Sequence, residues 1–309
     1  MRLTFLGTGT SAGVPAIGCS CDVCTSTDPR DQRLRCSVAL QFTDPAAMHE
    51  DRQRTILIDA GPDLRQQALR ARLSRCDAIL FTHNHVDHTF GLDEVRRFNA
   101  VQHAPIDIYA ERHTLDFLGR VYKHIFDKHN NINDSFVATL IAHELHADAP
   151  IELYGVRFTP LRFLHGKQPV LGFRIERGTP RAPRKVGFAP TTELYDNPAA
   201  NASSPTPTPT STAANDDDVF PLAYCTDVSA VPTDTWSKLR GLKTLVLDAL
   251  RHRHHPTHLT LEHAISIAQQ VGAAKTYFIH MAHDLPHQAT QDMLPDGMFL
   301  AYDGLVLGA

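Results

Sequence analysis

Positions 81–91 read FTHNHVDHTFG, and within them His83, His85, Asp87 and His88 place four metal-capable side chains in six residues. The stretch follows the apolar run AILF and precedes a helical pattern, so it is expected where a strand turns into a helix. That placement is demanding. Imidazole and carboxylate together suit Zn²⁺, Mn²⁺ or Fe²⁺, and ligands at i, i+2, i+4 and i+5 around a turn can splay about more than one ion. The alternative is a polar loop in a chain that holds 19 histidines. Such a loop does not account for H-x-H-x-D-H directly after a β-like run.

The HNHVDH run resembles the signature of the metallo-β-lactamase superfamily, hydrolases of α/β class with a four-layer αβ/βα sandwich and usually two metal ions. The resemblance implies His83 and His85 on one metal and Asp87 and His88 on the other, with further ligands at strand ends downstream. It implies His165, in LHG after a strand, as the third ligand of the first metal. Asp227, in YCTD, becomes the carboxylate that bridges the two ions, and His280, in IHMAH, the last ligand of the second. Asp59, which closes RTILIDAG, would hold a ligand imidazole in place. From the residues alone, Asp59 is equally a cap for the helix expected over 62–72.

Cys19-x-Cys21-x-x-Cys24 is the second dense cluster. Thiols this close, among small and polar neighbours, gain little as core residues and suit a metal; three loosely packed thiols are the alternative. A structural Zn²⁺ needs four ligands, so one is missing from the run. His283 has no place in the two-metal set and is the right residue type to complete a Cys₃His site. With GTGTSAGVPAIGCSCDVC, HNHVDH, His165, YCTD and IHMAH in that order, nearly the whole chain resembles the PhnP-like branch of the superfamily. Those are phosphoribosyl cyclic phosphodiesterases of phosphonate breakdown, which pair a two-metal centre with a zinc clip. The resemblance implies a catalytic histidine at His258, beside Asp87 among the catalytic residues. His258 would hydrogen-bond the phosphate and protonate the leaving oxygen, a task suited to a side chain that titrates near neutrality. The plainer alternative makes it a neighbour of the cap of the helix expected over 259–272.

The remaining chain sets the bounds. A length of 309 residues with 42% apolar content supports a large core, expected as one domain over 1–309 built from two similar halves. A net charge of −4 leaves no basic footprint for nucleic acid or an anionic membrane. No run approaches the length of a membrane span, and MRLTFLGTGT reads as a strand rather than an export signal, so a cytoplasmic protein is expected. In that compartment its six cysteines argue for metal or buried thiols rather than disulfides. GTGTSAG lacks the Lys-Ser/Thr ending of a phosphate loop and reads as a tight turn near the site.

Strands are expected at 2–6, 36–42, 54–61, 106–110, 171–178, 222–226, 243–250 and 276–283, with a hairpin over 151–163 turning at Tyr154-Gly155. Helices are expected over 91–102, 111–126 and 259–272, the last started by Thr260 and stopped by Gly272. His113, His124, His129, His143 and His146 show no partner spacing and read as surface or packing residues. Residues 178–219 are an insertion, and the Pro/Ser/Thr/Ala tract at 197–218 is expected to be disordered because it cannot bury enough apolar surface. The strands on either side are still expected to pair, since looping out a flexible segment costs little extra entropy per residue.

The function implied by the resemblance is hydrolysis of a small cyclic phosphodiester, best matched by 5-phosphoribosyl 1,2-cyclic phosphate. Two divalent ions, Mn²⁺ or Zn²⁺, would hold a hydroxide between them, with one structural Zn²⁺ at the cysteines and a homodimer as the assembly. Rivals share the ligands. A PqqB-like protein shares the cysteine loop but departs from H-x-H-x-D-H; a tRNA 3′-processing nuclease needs a basic, Gly-rich arm, whereas the insertion here is acidic and Pro-rich. A thioesterase or lactamase does not call for the zinc clip or His258. A non-catalytic metal-binding scaffold docking partners through PTPTPT lacks basic residues flanking a P-x-x-P motif.

Overall fold

In the strand Thr244–Asp248 (TLVLD), Leu245 and Leu247 point one way and Val246 the other, and all three are fully or almost fully buried. A strand apolar on both faces needs a layer on each side. A computed structural model, describing residues 1–47, 52–127, 136–178 and 219–308, shows those layers. Leu245 and Leu247 join a cluster under the helix Leu261–Val271, while Val246 joins a second cluster shared with another sheet.

Among the described residues each sheet has seven strands. The first contains β1 (Arg2–Gly7), β2 (Ser37–Thr43), β3 (Gln53–Ile58), β4 (Ala78–Leu80), β5 (Ile106–Ala110) and β6 (Leu140–Glu144). The second contains β7 (Ile151–Leu153), β8 (Val156–His165), β9 (Gln168–Arg177), β10 (Leu222–Cys225), β11 (Thr244–Asp248), β12 (Lys275–Ile279) and β13 (Met298–Leu300). β14 (Val306–Leu307) returns to the first, giving the orders β14-β1-β2-β3-β4-β5-β6 and β13-β12-β11-β10-β9-β8-β7. Leu3, Phe5, Val38, Leu40, Ile56 and Ile58 of one sheet pack on Phe158, Leu171, Phe173, Ile175, Leu222 and Tyr224 of the other. The opposite face of the first sheet, with Ala39, Leu57 and Ile79, meets helix residues such as Leu64, Phe98 and Leu118. The layers run helix, sheet, sheet, helix: the αβ/βα sandwich expected from the sequence. Truncating a fully buried residue between the sheets, such as Phe173→Ala, would cost about 3–5 kcal/mol.

β3 to β6 run parallel, as do β10 to β13. The carboxyl ends of β3, β4, β10, β11 and β12 carry the chemistry, the edge where open α/β sheets bind ligands. β9 and β10 pair antiparallel, Ile175 opposite Leu222 and Phe173 opposite Tyr224, so the strands flanking the insertion meet as expected. Within that insertion, 179–218 lie outside the described residues, and with them the expected disorder at 197–218.

Several boundaries differ from the sequence reading. The helix expected over 91–102 starts as a 3₁₀ turn, Leu92–Val95, before Arg96–Gln102; that over 111–126 breaks at Tyr122. The strand expected at 222–226 is found as Leu222–Cys225, while that expected to run to 283 ends at Ile279, because the backbone turns left-handed at His280 (φ 61°), as it also does at Asp227 (φ 56°). Tyr154 (φ 52°) and Gly155 (φ 81°) form the expected hairpin turn, and Thr260 and Gly272 cap their helix. Among the described residues no helix is long and apolar enough to cross a membrane.

Candidate metal centre

The H-x-H-x-D-H run leaves β4 and enters a single helical turn, Val86–Thr89. The loop after β3 fixes it from below. Ala60 N–H donates to the His88 carbonyl at 2.8 Å, and at Gly61 a Cβ would lie 2.0 Å from the Asp87 carbonyl oxygen, so only glycine allows this approach. Asp59, Asp227 and His280 each stand at or just past a strand end with φ of 63°, 56° and 61°. Left-handed backbone at non-glycine residues costs of order 1–3 kcal/mol and collects at functional sites.

Those elements bring the expected residues together. His83, His85, His165 and Asp227 form one set whose ligand atoms all lie within 4.8 Å of one another; Asp87, His88 and His280 form a second. Asp227 Oδ2 is 3.1 Å from His88 Nε2 and its Oδ1 is 3.3 Å from His280 Nε2, so the carboxylate stands between the sets. A third grouping places His258 with Asp227 and His280.

The hydrogen bonds decide which imidazole nitrogens face inward. Thr82 gives its hydroxyl proton to Asp59 Oδ2 at 2.8 Å, so His83 Nδ1, 2.9 Å from the Thr82 Oγ1, must donate to that hydroxyl oxygen. His88 Nδ1 faces Asp59 Oδ2 at 2.8 Å, His165 Nδ1 faces the Thr257 carbonyl at 2.7 Å, and His280 Nδ1 faces Asp248 Oδ1 at 3.3 Å. The Nδ1–H of His83, His88 and His165 is therefore held by an acceptor, leaving Nε2 with a lone pair, whereas His280 Nδ1 lies near Asp248 Oδ1 without a hydrogen bond. That is the arrangement a metal-ligating histidine requires. The Nε2 atoms of His83, His88 and His280 are buried without any hydrogen-bond partner, a costly state in a purely structural cluster. The residues fit divalent metal ions.

Electrostatics agree. Burial alone would raise Asp227, but His280 and His88 outweigh it and hold its carboxyl well below the usual range. Burial opposes charge on His88, yet Asp227, Asp59 and Asp87 lift it well above its ordinary value. His280, likewise against burial, is raised to about 9 by Asp227 and Asp248. The carboxylates thus favour positive charge at these Nε2 positions. His83, which burial and then His88 push well below the ordinary value, stays neutral.

At the N-terminal loop, Cys19, Cys21 and Cys24 place their Sγ atoms 3.2, 3.4 and 3.4 Å from His283 Nδ1. A tetrahedral Zn²⁺ with ordinary bond lengths gives S···N edges of about 3.5 Å, so these four residues fit such an ion. The Cys24 backbone N–H draws the Cys21 thiol down to about 7, and the Ala16 N–H points at Cys24 Sγ from 3.3 Å. Fully buried Arg33 donates to the carbonyls of Ala282 (2.8 Å) and Leu285 (2.5 Å), fixing the segment that carries His283 against the cysteine loop.

One sequence alternative falls: Asp59 caps no helix, because the residue preceding Leu64–Arg70 is Asp63, while the cap of Leu261–Val271 is Thr260, two residues after His258. Sequence reasoning missed Asp248. Its Oδ2 lies 3.3 Å from His258 Nδ1 and accepts the Leu259 N–H at 3.2 Å, while Oδ1 faces His280. The available signal was its place: a lone carboxylate ending a buried strand, as Asp59 does.

Comparison with known proteins gives the site its context. The chain is 31% identical over 307 residues to an octanoyltransferase of Porphyromonas gingivalis, covering 99% of this chain but only 51% of that relative. It thus spans about half that relative's length. The solved Zn²⁺-bound PqqB from Methylobacterium extorquens, 18% identical with a TM-score of 0.67 and complete coverage of both chains, shares the fold. A solved structure described as a new diphosphatase from the PhnP family is 38% identical, with a TM-score of 0.76, covering 99% of this chain and 97% of that one. The family model "Beta-lactamase superfamily domain" matches residues 54–205 and 198–281, and with the full-length PhnP-family likeness this makes the chain a PhnP-like member of the β-lactamase superfamily with the metallo-β-lactamase fold.

Proposed function

We propose that the protein is a metal-dependent phosphodiesterase acting on a small cyclic phosphodiester, with 5-phosphoribosyl 1,2-cyclic phosphate as the best match. The observation that carries this reading is the pairing of the two ligand sets with His258. That ring lies 4.5 Å from His165 and 4.6 Å from His280, centre to centre, at the edge of the cluster.

In this reading His83, His85, His165 and Asp227 hold one divalent ion, and Asp87, His88, His280 and Asp227 the other. When bound, such a pair acidifies water and neutralises charge developing on phosphorus. Asp59, Thr82, Thr257 and Asp248 keep the ligand imidazoles oriented. His258 stands outside the metal set. Its Nδ1 faces Asp248, so Nε2 is the atom that gives a proton to the leaving oxygen as water adds to phosphorus and the P–O bond breaks. The Cys₃His residues would hold a structural Zn²⁺ that ties the N-terminal loop beside the centre.

A second reading has a specific support: the 38% identical structure is described as a diphosphatase, which favours a phosphoanhydride substrate. Incubating protein loaded with Mn²⁺ or Zn²⁺ with the cyclic diester, a nucleoside diphosphate sugar and a thioester separates the readings. ³¹P NMR and thiol release report the products. Opening of the cyclic diester is the expected result; cleavage of the thioester alone rules out phosphorus chemistry.

A further inference from the structure

Thr226 stands between the end of β10 and Asp227, completely buried. Its hydroxyl oxygen is 2.7 Å from Asp227 Oδ2, and because an ionised carboxylate has no proton to give, Thr226 is the donor. That hydrogen bond distinguishes the two carboxylate oxygens. Oδ2 receives Thr226 and lies 3.1 Å from His88 Nε2, while Oδ1 lies 3.3 Å from His280 Nε2 and 4.0 Å from His83 Nε2.

The backbone does little to set this rotation. β10 ends at Cys225 and Asp227 is left-handed (φ 56°), so strand pairing does not reach it. The last side-chain torsion of an aspartate is broad rather than confined to narrow wells. A directed hydrogen bond is what can hold one rotation, and the same device serves Asp59, whose Oδ2 accepts the Thr82 hydroxyl at 2.8 Å. Thr226 is itself backed from the other sheet. The buried Cys36 thiol, just before β2, lies against its side chain. Since the one hydroxyl proton of Thr226 is committed to Asp227, Cys36 can meet that oxygen only as a donor. The next residue, Ser37, donates to the Asp59 carbonyl at 2.9 Å. The start of β2 carries no ligand, yet it supports both carboxylate positions.

We propose that Thr226 is a positioning residue for the two-metal centre: its hydroxyl fixes the rotation of the Asp227 carboxylate, so that the two oxygens stay directed at both ligand sets. This rests on the metal-dependent reading above and concerns the centre rather than the substrate. Without the hydroxyl, a buried carboxylate loses a charge-assisted hydrogen bond and is free to turn away from one set.

Metal binding and magnetic resonance test this without turnover. Thr226→Val keeps the branched shape and removes the hydroxyl; it should weaken Mn²⁺ binding about 10–100-fold by calorimetry, the scale of losing a partner behind a ligand. Electron paramagnetic resonance should show a spin-coupled Mn²⁺ pair in the wild type and a changed or lost coupling in Thr226→Val at saturating metal. Thr226→Ser, which keeps the donor, should restore the coupled spectrum and bring the affinity within about threefold of wild type. A role in packing alone predicts the reverse, because valine fills the space better than serine. If Thr226→Val does not fold, Thr226→Ala carries the same expectation. Wild-type affinity and coupling in a folded variant without the hydroxyl, a Thr226→Ser as defective as Thr226→Val, or an uncoupled wild-type spectrum with both ions bound overturns the proposal. Failure of the phosphodiesterase reading appears separately, as absent hydrolysis with the coupled pair intact.

Discussion

Asp59 Oδ2 lies 2.8 Å from His88 Nδ1, and both side chains are completely buried. The same carboxylate accepts the Thr82 N–H and hydroxyl at 2.8 Å each, and through Thr82 it also holds His83. One residue thus orients an imidazole in each ligand set. Asp59→Asn should weaken active-site metal affinity about 10–100-fold, the usual effect of losing a partner behind a ligand. Competition with a chromophoric chelator measures it; unchanged affinity removes Asp59 from this role.

Asp227 stands between the two sets, grouped with His83, His85 and His165 and within 3.3 Å of His88 and His280 Nε2. Asp227→Ala should lower phosphodiester hydrolysis on the order of 10³-fold or more, since several kcal/mol of charge stabilisation depend on the ions it holds. Metal content by plasma emission should fall in parallel. Full activity in this variant is incompatible with the proposed centre.

The Cys₃His set should be separable from the active site. Cys21→Ser should release one equivalent of zinc to a chelator and lower the melting temperature by several degrees, because metal binding at such sites is also folding energy. Retention of the full zinc complement would show that the ion does not sit there.

Acid should weaken the fold through His287. Burial, followed by the Arg30 and Arg33 guanidinium groups, holds it down to about 4 from the ordinary 6.5. As pH falls below 6.5 the unfolded chain takes up this proton first, so stability is present above that value and is lost progressively towards about 4. The loss is on the order of 3 kcal/mol. Urea midpoints at about pH 7 and about pH 4.5 should converge in His287→Gln relative to wild type; an equal decline in both excludes His287 as the cause.

Much of the centre was legible in the sequence because metal chemistry restricts residue type and spacing. HNHVDH lies within one turn, and Asp227 and His280 each follow short, strongly apolar strands. Asp248 was hidden because a single carboxylate after TLVL has no local signature: its meaning comes from His258 and His280, ten and 32 positions away, being folded onto it. The edges of the sheets were equally silent. β6 (LIAHE) alternates only weakly, and β14 is two residues long and is defined by its pairing with Leu3 and Thr4 at the far end of the chain. The strand expected over 276–283 was overextended because nothing in FIHM announces a left-handed residue at His280.

The most direct test is hydrolysis of 5-phosphoribosyl 1,2-cyclic phosphate by metal-loaded protein in ¹⁸O-enriched water, followed by ³¹P NMR. The account predicts ring opening with one ¹⁸O on the phosphorus of the product, seen as an isotope-shifted resonance and absent after chelation. No opening with both ligand sets loaded, or a product whose phosphorus carries no ¹⁸O, contradicts it.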